Sequence, residues 1–120
     1  MRIVALLFLT SALGFAGAWS GTLVDAGCWG YMENDVGQKT TEQYVDRDRN
    51  EEVRLCAPNA KTKTFAVIPP DGIGLTLDAN GGATAAALVK TQPGHKVIRV
   101  TVSGERTRNS IQVSSLAAAR

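Results

Sequence analysis

Aromatic residues are scarce, with phenylalanine, tryptophan and tyrosine together making up 6% of the 120 residues. There is one histidine, two cysteines and four prolines, and neither sign of charge dominates, since 13 lysines and arginines stand against 11 aspartates and glutamates. That near balance excludes a strongly basic nucleic-acid binder and a strongly acidic tail. Glycines without a period exclude a collagen-like chain. A single histidine and the lack of a Cys-x-x-Cys pair leave too few ligands for an ordinary zinc site. Beyond the N-terminus no apolar run approaches the ~20 residues that a membrane helix needs. What remains is an apolar fraction of 44%, ordinary for one globular domain of this length.

The N-terminus reads as an export signal. Arg2 supplies a positive start, residues 3–15 are apolar apart from Thr10 and Ser11, and Ala16-Gly17-Ala18 places small residues before a cleavage position. Residues 1–18 are therefore expected to be removed, leaving a nearly neutral mature chain that begins at Trp19 and is periplasmic or extracellular. No lipidated cysteine follows the cleavage position. In an oxidising compartment Cys28 and Cys56, the only cysteines, are expected to pair. Closing that loop is worth roughly 3.6 kcal/mol in the chain-entropy model.

The mature chain, residues 19–116, is read as one domain. Gly21-Thr22-Leu23-Val24 is a short strand, and Asp25-Ala26-Gly27 turns the chain into Cys28. Residues 29–50 form a long polar excursion with room for one short helix, and residues 51–56 a helical turn ended by Pro58. Strands follow over 64–68 and 73–77, joined by Pro-Pro-Asp-Gly, with Ile73, Leu75 and Leu77 on one face. Residues 78–82 read as a turn and 83–90 as a short helix, rich in alanine. Residues 96–103 alternate, with Ile98, Val100 and Val102 facing one way and Arg99, Thr101 and Ser103 the other. A hairpin turn at Arg108-Asn109 leads to a last strand over 110–116 carrying Ile111 and Val113, and residues 117–120 are expected to fray. Five strands with a helix between the third and fourth match the order of a small OB-like barrel, the alternative being a five-stranded open meander or sandwich.

Several stretches carry a resemblance: Gly21-Thr22-Leu23-Val24-Asp25-Ala26-Gly27-Cys28, Cys56-Ala57, Gly74-Leu75-Thr76-Leu77-Asp78-Ala79, Val100-Thr101-Val102-Ser103-Gly104 and Asn109-Ser110-Ile111-Gln112-Val113-Ser114-Ser115-Leu116. Through them the mature chain resembles a family of small exported bacterial proteins with an OB-fold-like domain and no established activity. The resemblance implies that fold and no catalytic residue.

Chemical motifs are thin. Asp46-Arg47-Asp48-Arg49-Asn50 opens like a calcium loop, but Glu51 stands where glycine is needed and Ala57 where glutamate is needed, so it reads as a solvated charge run. His95 has no nominated partner and reads as a surface residue. Ser103-Gly104 and Ser114-Ser115 lack a nucleophile elbow, and Gly72-x-Gly74 and Gly81-Gly82 lack phosphate-loop spacing. No catalytic, metal or cofactor residue is nominated. OB-folds hold ligands on the outer face of strands 2 and 3, gripped by the loops after strands 1 and 4. Trp29 and Tyr31, with Tyr44, fall in the first of these loops, and Glu105, Arg106, Arg108 and Asn109 in the second. Trp29, Tyr31, Arg106 and Arg108 are thus the candidate ligand surface, the competing role for the two aromatics being to pack over the disulfide. The expected function is a non-enzymatic exported binding or envelope-associated module for a small ligand or envelope protein. It would use no cofactor, no nucleic acid and, once cleaved, no membrane. The rival is a small metal-dependent or hydrolytic enzyme using Asp25, His95 and the acidic run.

Overall fold

The computed structural model describes residues 15–36, 53–70, 72–92 and 97–119. Its elements are β1 (Phe15–Asp25), α1 (Ala26–Val36), β2 (Phe65–Ile68), β3 (Leu75–Leu77), α2 (Ala79–Lys90), β4 (Arg99–Thr107) and β5 (Ser110–Ala118). The strands close into one barrel in the order β1-β2-β3-β5-β4, so the chain is mainly β with a short helix between β3 and β4. The OB-like barrel holds, and the open meander and sandwich give way to it. Closure depends on β1 serving two partners: residues 22–25 pair with β2, and residues 15–22 pair with β4. A parallel pairing of β3 with β5 completes the ring. Asp25 opposes Phe65 while Phe15 opposes Arg106, so the circuit returns to β1 far along the same strand. Such a stagger tilts the strands and narrows the barrel until side chains fill it.

The filling follows the alternation in the sequence. Leu23, Phe65, Val67, Leu75, Leu77, Ile98, Val100, Val102, Ile111 and Val113 are buried together, with Ala85 and Val89 of α2 packed against them. The expected inward set of the β4–β5 hairpin, Val100, Val102, Ile111 and Val113, is buried throughout. β2 is buried on both faces. Phe65 and Val67 point into the barrel, while Ala66 and Ile68 join Val24, Trp29 and Cys56 in a second cluster outside it.

Several boundaries differ from those expected. β1 starts at Phe15, ahead of Gly21, and so runs through the expected cleavage position at Ala18. β4 continues past Ser103 through a bulge at Ser103/Gly104, where a Cβ on Gly104 would collide with the Gln112 carbonyl oxygen. Glu105 and Arg106 are therefore strand residues. β5 takes in Ala117 and Ala118, paired with Thr101 and Val100, and Ala119 donates its N–H to the Arg99 carbonyl at 2.8 Å. Main-chain pairing thus orders a segment whose side chains favour no strand. The left-handed residue of the hairpin is Arg108, at φ 57, rather than Asn109. Ile73 lies outside the three-residue β3 and is exposed.

α2 begins at Ala79 rather than at residue 83, because Asp78 caps it. One carboxylate oxygen of Asp78 accepts from the Gly81 N–H at 3.0 Å and from the Val113 N–H at 3.2 Å. Asn80 Nδ2 donates to the Val113 carbonyl at 3.0 Å. The helix start is thereby bonded to β5, and the two glycines that suggested a turn sit in its first turns.

Candidate functional site

The segment after β1 carries the first of the expected ligand residues. It is a helix, α1, which begins at Ala26, ahead of the excursion expected from residue 29 with its one short helix. Gly27 and Gly30 each oppose helix formation by about 1 kcal/mol relative to alanine. Three tertiary features hold it instead. Asp25 Oδ1 accepts the Cys28 N–H at 3.1 Å, which caps the first turn. The expected Cys28–Cys56 disulfide is present, with a Cα–Cα separation of 5.4 Å, and fastens α1 to the helical turn at 53–55. Trp29, only 5% exposed, lies in the outer cluster beside Cys56, Ala66 and Ile68. A Cβ at Gly74 would stand 3.2 Å from Trp29 Nε1, so the indole reaches across β2 to the start of β3.

That placement covers the outer face of β2, part of the face on which OB-folds hold ligands. The cover belongs to the chain itself. Trp29 packs over the disulfide and offers no ring to a ligand. Tyr31, two residues onward, is 73% exposed. Arg106 and Arg108 lie elsewhere: Arg106 opposes Phe15 at the start of β1, whereas α1 leaves the end of β1. Arg106 Nε donates to the Arg108 carbonyl at 2.7 Å and so ties off its own hairpin turn. The four candidate residues are thus divided between the buried Trp29 and exposed Tyr31 at one end of β1 and the half-buried Arg106 and exposed Arg108 at the other, with no shared cluster.

Asp25 is committed as well. Its second oxygen accepts the Thr62 hydroxyl at 3.0 Å, and Thr62 Oγ1 in turn accepts the Asn59 N–H at 2.9 Å. Both carboxylate oxygens therefore hold structure: one caps α1, the other anchors the loop before β2. His95, Tyr44 and the 46–50 charge run lie outside the described residues. Among the described residues no three His, Cys, Asp or Glu side chains come together as metal ligands.

The concave surface lies on the other side of β1. A cleft of about 990 Å3 runs along the outward faces of β1 and β4, between the 53–54 turn, the Pro69-Pro70 corner and the end of β5. Ser20 and Thr22 of β1 stand opposite Thr101 and Arg99 of β4, and the Ser20 and Thr101 hydroxyls are hydrogen-bonded at 3.0 Å. Arg54 enters from the 53–55 turn, which the disulfide anchors. The Arg54 and Arg99 side chains are both exposed, and among the described residues neither guanidinium has a hydrogen bond or ion pair. Among the described residues the lining includes no acidic and no aromatic side chain. Arg99 and Thr101 were legible as an outward cation and hydroxyl on an alternating strand. Arg54 was not, because only the disulfide and the barrel closure bring it beside β4.

Comparisons with protein-family models, with curated proteins and with solved structures found no match to this chain.

Proposed function

We propose that the protein is an exported, non-enzymatic binding module built on an OB-fold, and that its ligand site is the β1–β4 cleft. The observation that carries this reading is the pair of guanidinium groups, Arg54 and Arg99, which face one concave surface and have no partner among the described residues. A cleft of about 990 Å3 sits at the upper end of the range for small-molecule sites. The burial of Trp29 and the capping role of Asp25 support it, since they take the aromatic platform and the rival's carboxylate out of play. Export is supported by the signal pattern before Trp19 and by a disulfide, which persists in oxidising compartments.

The test is a small-molecule screen by thermal shift on the oxidised protein, because a ligand of the native state raises the melting temperature by mass action. Hits are expected to lose their shift in Arg99→Ala and Arg54→Ala and to keep it in Arg106→Ala. The reverse pattern would move the site to the hairpin. The mass of the exported protein checks the compartment: a chain beginning at Trp19 is expected, and retention of Met1 would contradict export by this signal.

A further inference from the structure

We infer that the cleft takes a small anion carried on an apolar body, a carboxylate or phosphate monoester attached to a hydrocarbon or aromatic group. The inference rests on the cleft being the ligand site and adds the ligand's chemistry.

The charge comes first. Arg54 and Arg99 reach the same cleft from separate parts of the chain, one from the turn before β2 and one from β4. Among the described residues no carboxylate lines the cleft and neither guanidinium has a partner. Two unpaired cations sharing a concave surface favour an anion between them, and the planar guanidinium fork suits the paired oxygens of carboxylate and phosphate. Hydroxyls add to this. In the Ser20–Thr101 pair one hydroxyl donates to the other, so the second keeps its hydrogen for an outside acceptor. Thr22 supplies a further hydroxyl on the same face. These groups are donors to oxygen, which an anion presents and a cation does not.

The apolar part of the lining sets the rest of the ligand. Pro70 and Val97 are exposed at its rim, Val97 by 40%, and Pro69 is half-buried beside them. A bare inorganic ion would leave that rim wet, whereas an attached hydrocarbon would cover it. The lack of any aromatic side chain among the described lining residues argues against a nucleic-acid strand, whose bases bind unspecifically by stacking on rings.

Isothermal titration of the full oxidised chain tests the inference with three probes: phenyl phosphate, inorganic phosphate and benzyl alcohol. Phenyl phosphate is expected to bind at least tenfold more tightly than either of the others, and Arg54→Gln and Arg99→Gln each to weaken it at least fivefold. Parallel melting curves show that both variants remain folded. Benzoate in place of phenyl phosphate separates the two anion types: comparable binding means that the charge is read, and loss of binding means that the phosphoryl group is. Benzyl alcohol binding as tightly as phenyl phosphate, with both arginine variants silent, would overturn the anion inference while leaving the cleft as the site. Phenyl phosphate binding that Arg106→Gln weakens and Arg99→Gln does not would overturn the site and the inference together, as would failure of all three probes to bind.

Discussion

Gly81 and Gly82 are neighbours in α2 with opposite surroundings. A Cβ at Gly81 would stand 2.9 Å from Val113 Cβ, too close for the helix to keep its place against β5. At Gly82 the nearest atom would be Phe65 Cδ1 at 3.8 Å, an ordinary contact. Gly82→Ala is therefore expected to stabilise the protein by about 0.5–1 kcal/mol through helix propensity and a less free unfolded chain. Gly81→Ala is expected to lose more than that gain, since overpacking costs about 1–3 kcal/mol. Urea unfolding of both variants checks the pair, and equal effects would mean that α2 does not pack on Val113 as described. In the sequence the two glycines look alike, and both suggested a turn. What separates them is Asp78, whose carboxylate caps the helix and bonds β5 at once, and a cap is legible only when the chain after it continues as a helix. Trp29 and Tyr31 posed the same difficulty. Two residues apart in a polar-looking stretch, they carry the same signal, and only the packing of α1 buries one and leaves the other exposed.

Elements that declare themselves by alternation were legible, and those held by tertiary contacts were not. The β4–β5 hairpin belongs to the first kind: its inward valines and isoleucine are the buried set, although the Gly104 bulge and the alanine-rich end of β5 extend it beyond the apolar pattern. α1 belongs to the second. It has two glycines, and its stability comes from the Asp25 cap, the disulfide and the burial of Trp29. Trp29→Ala is accordingly expected to cost about 3–5 kcal/mol, as for other buried large-to-small changes. Tyr31→Ala should stay within about 0.5 kcal/mol, as for exposed positions. Cys28→Ala is expected to cost about 2–5 kcal/mol by releasing the helix from residue 56. Denaturant titration of the oxidised proteins reads all three. A Trp29→Ala variant as stable as the parent would mean that α1 is not seated on β2.

At the scale of the whole molecule, barrel closure both hides one surface and makes another. β1 pairs with β2 and β4 at once, so its outward side chains face two ways: Val24 beneath α1, Ser20 and Thr22 into the cleft. The OB-like barrel could be drawn from the order of elements along the chain. The site could not, because Arg54 and Arg99 are far apart in sequence and line one cleft only in the closed barrel, with the 53–55 turn fastened by the disulfide. β1 also extends back through the expected cleavage position, so cleavage after Ala18 would remove the strand partners of Ser103, Gly104, Glu105 and Arg106. The cleft lies along residues 20–22, in the middle of β1, and keeps all its described lining residues after such cleavage. The central claim, that ligand binding falls on the β1–β4 face because α1 closes the face of β2, is tested most directly by titrating phenyl phosphate into isotope-labelled protein and following its assigned backbone amides. The largest shifts are expected at residues 20–22, 99–101 and 118–119. Shifts concentrated at residues 26–31 and 65–68, or around Arg106 and Arg108, would contradict it.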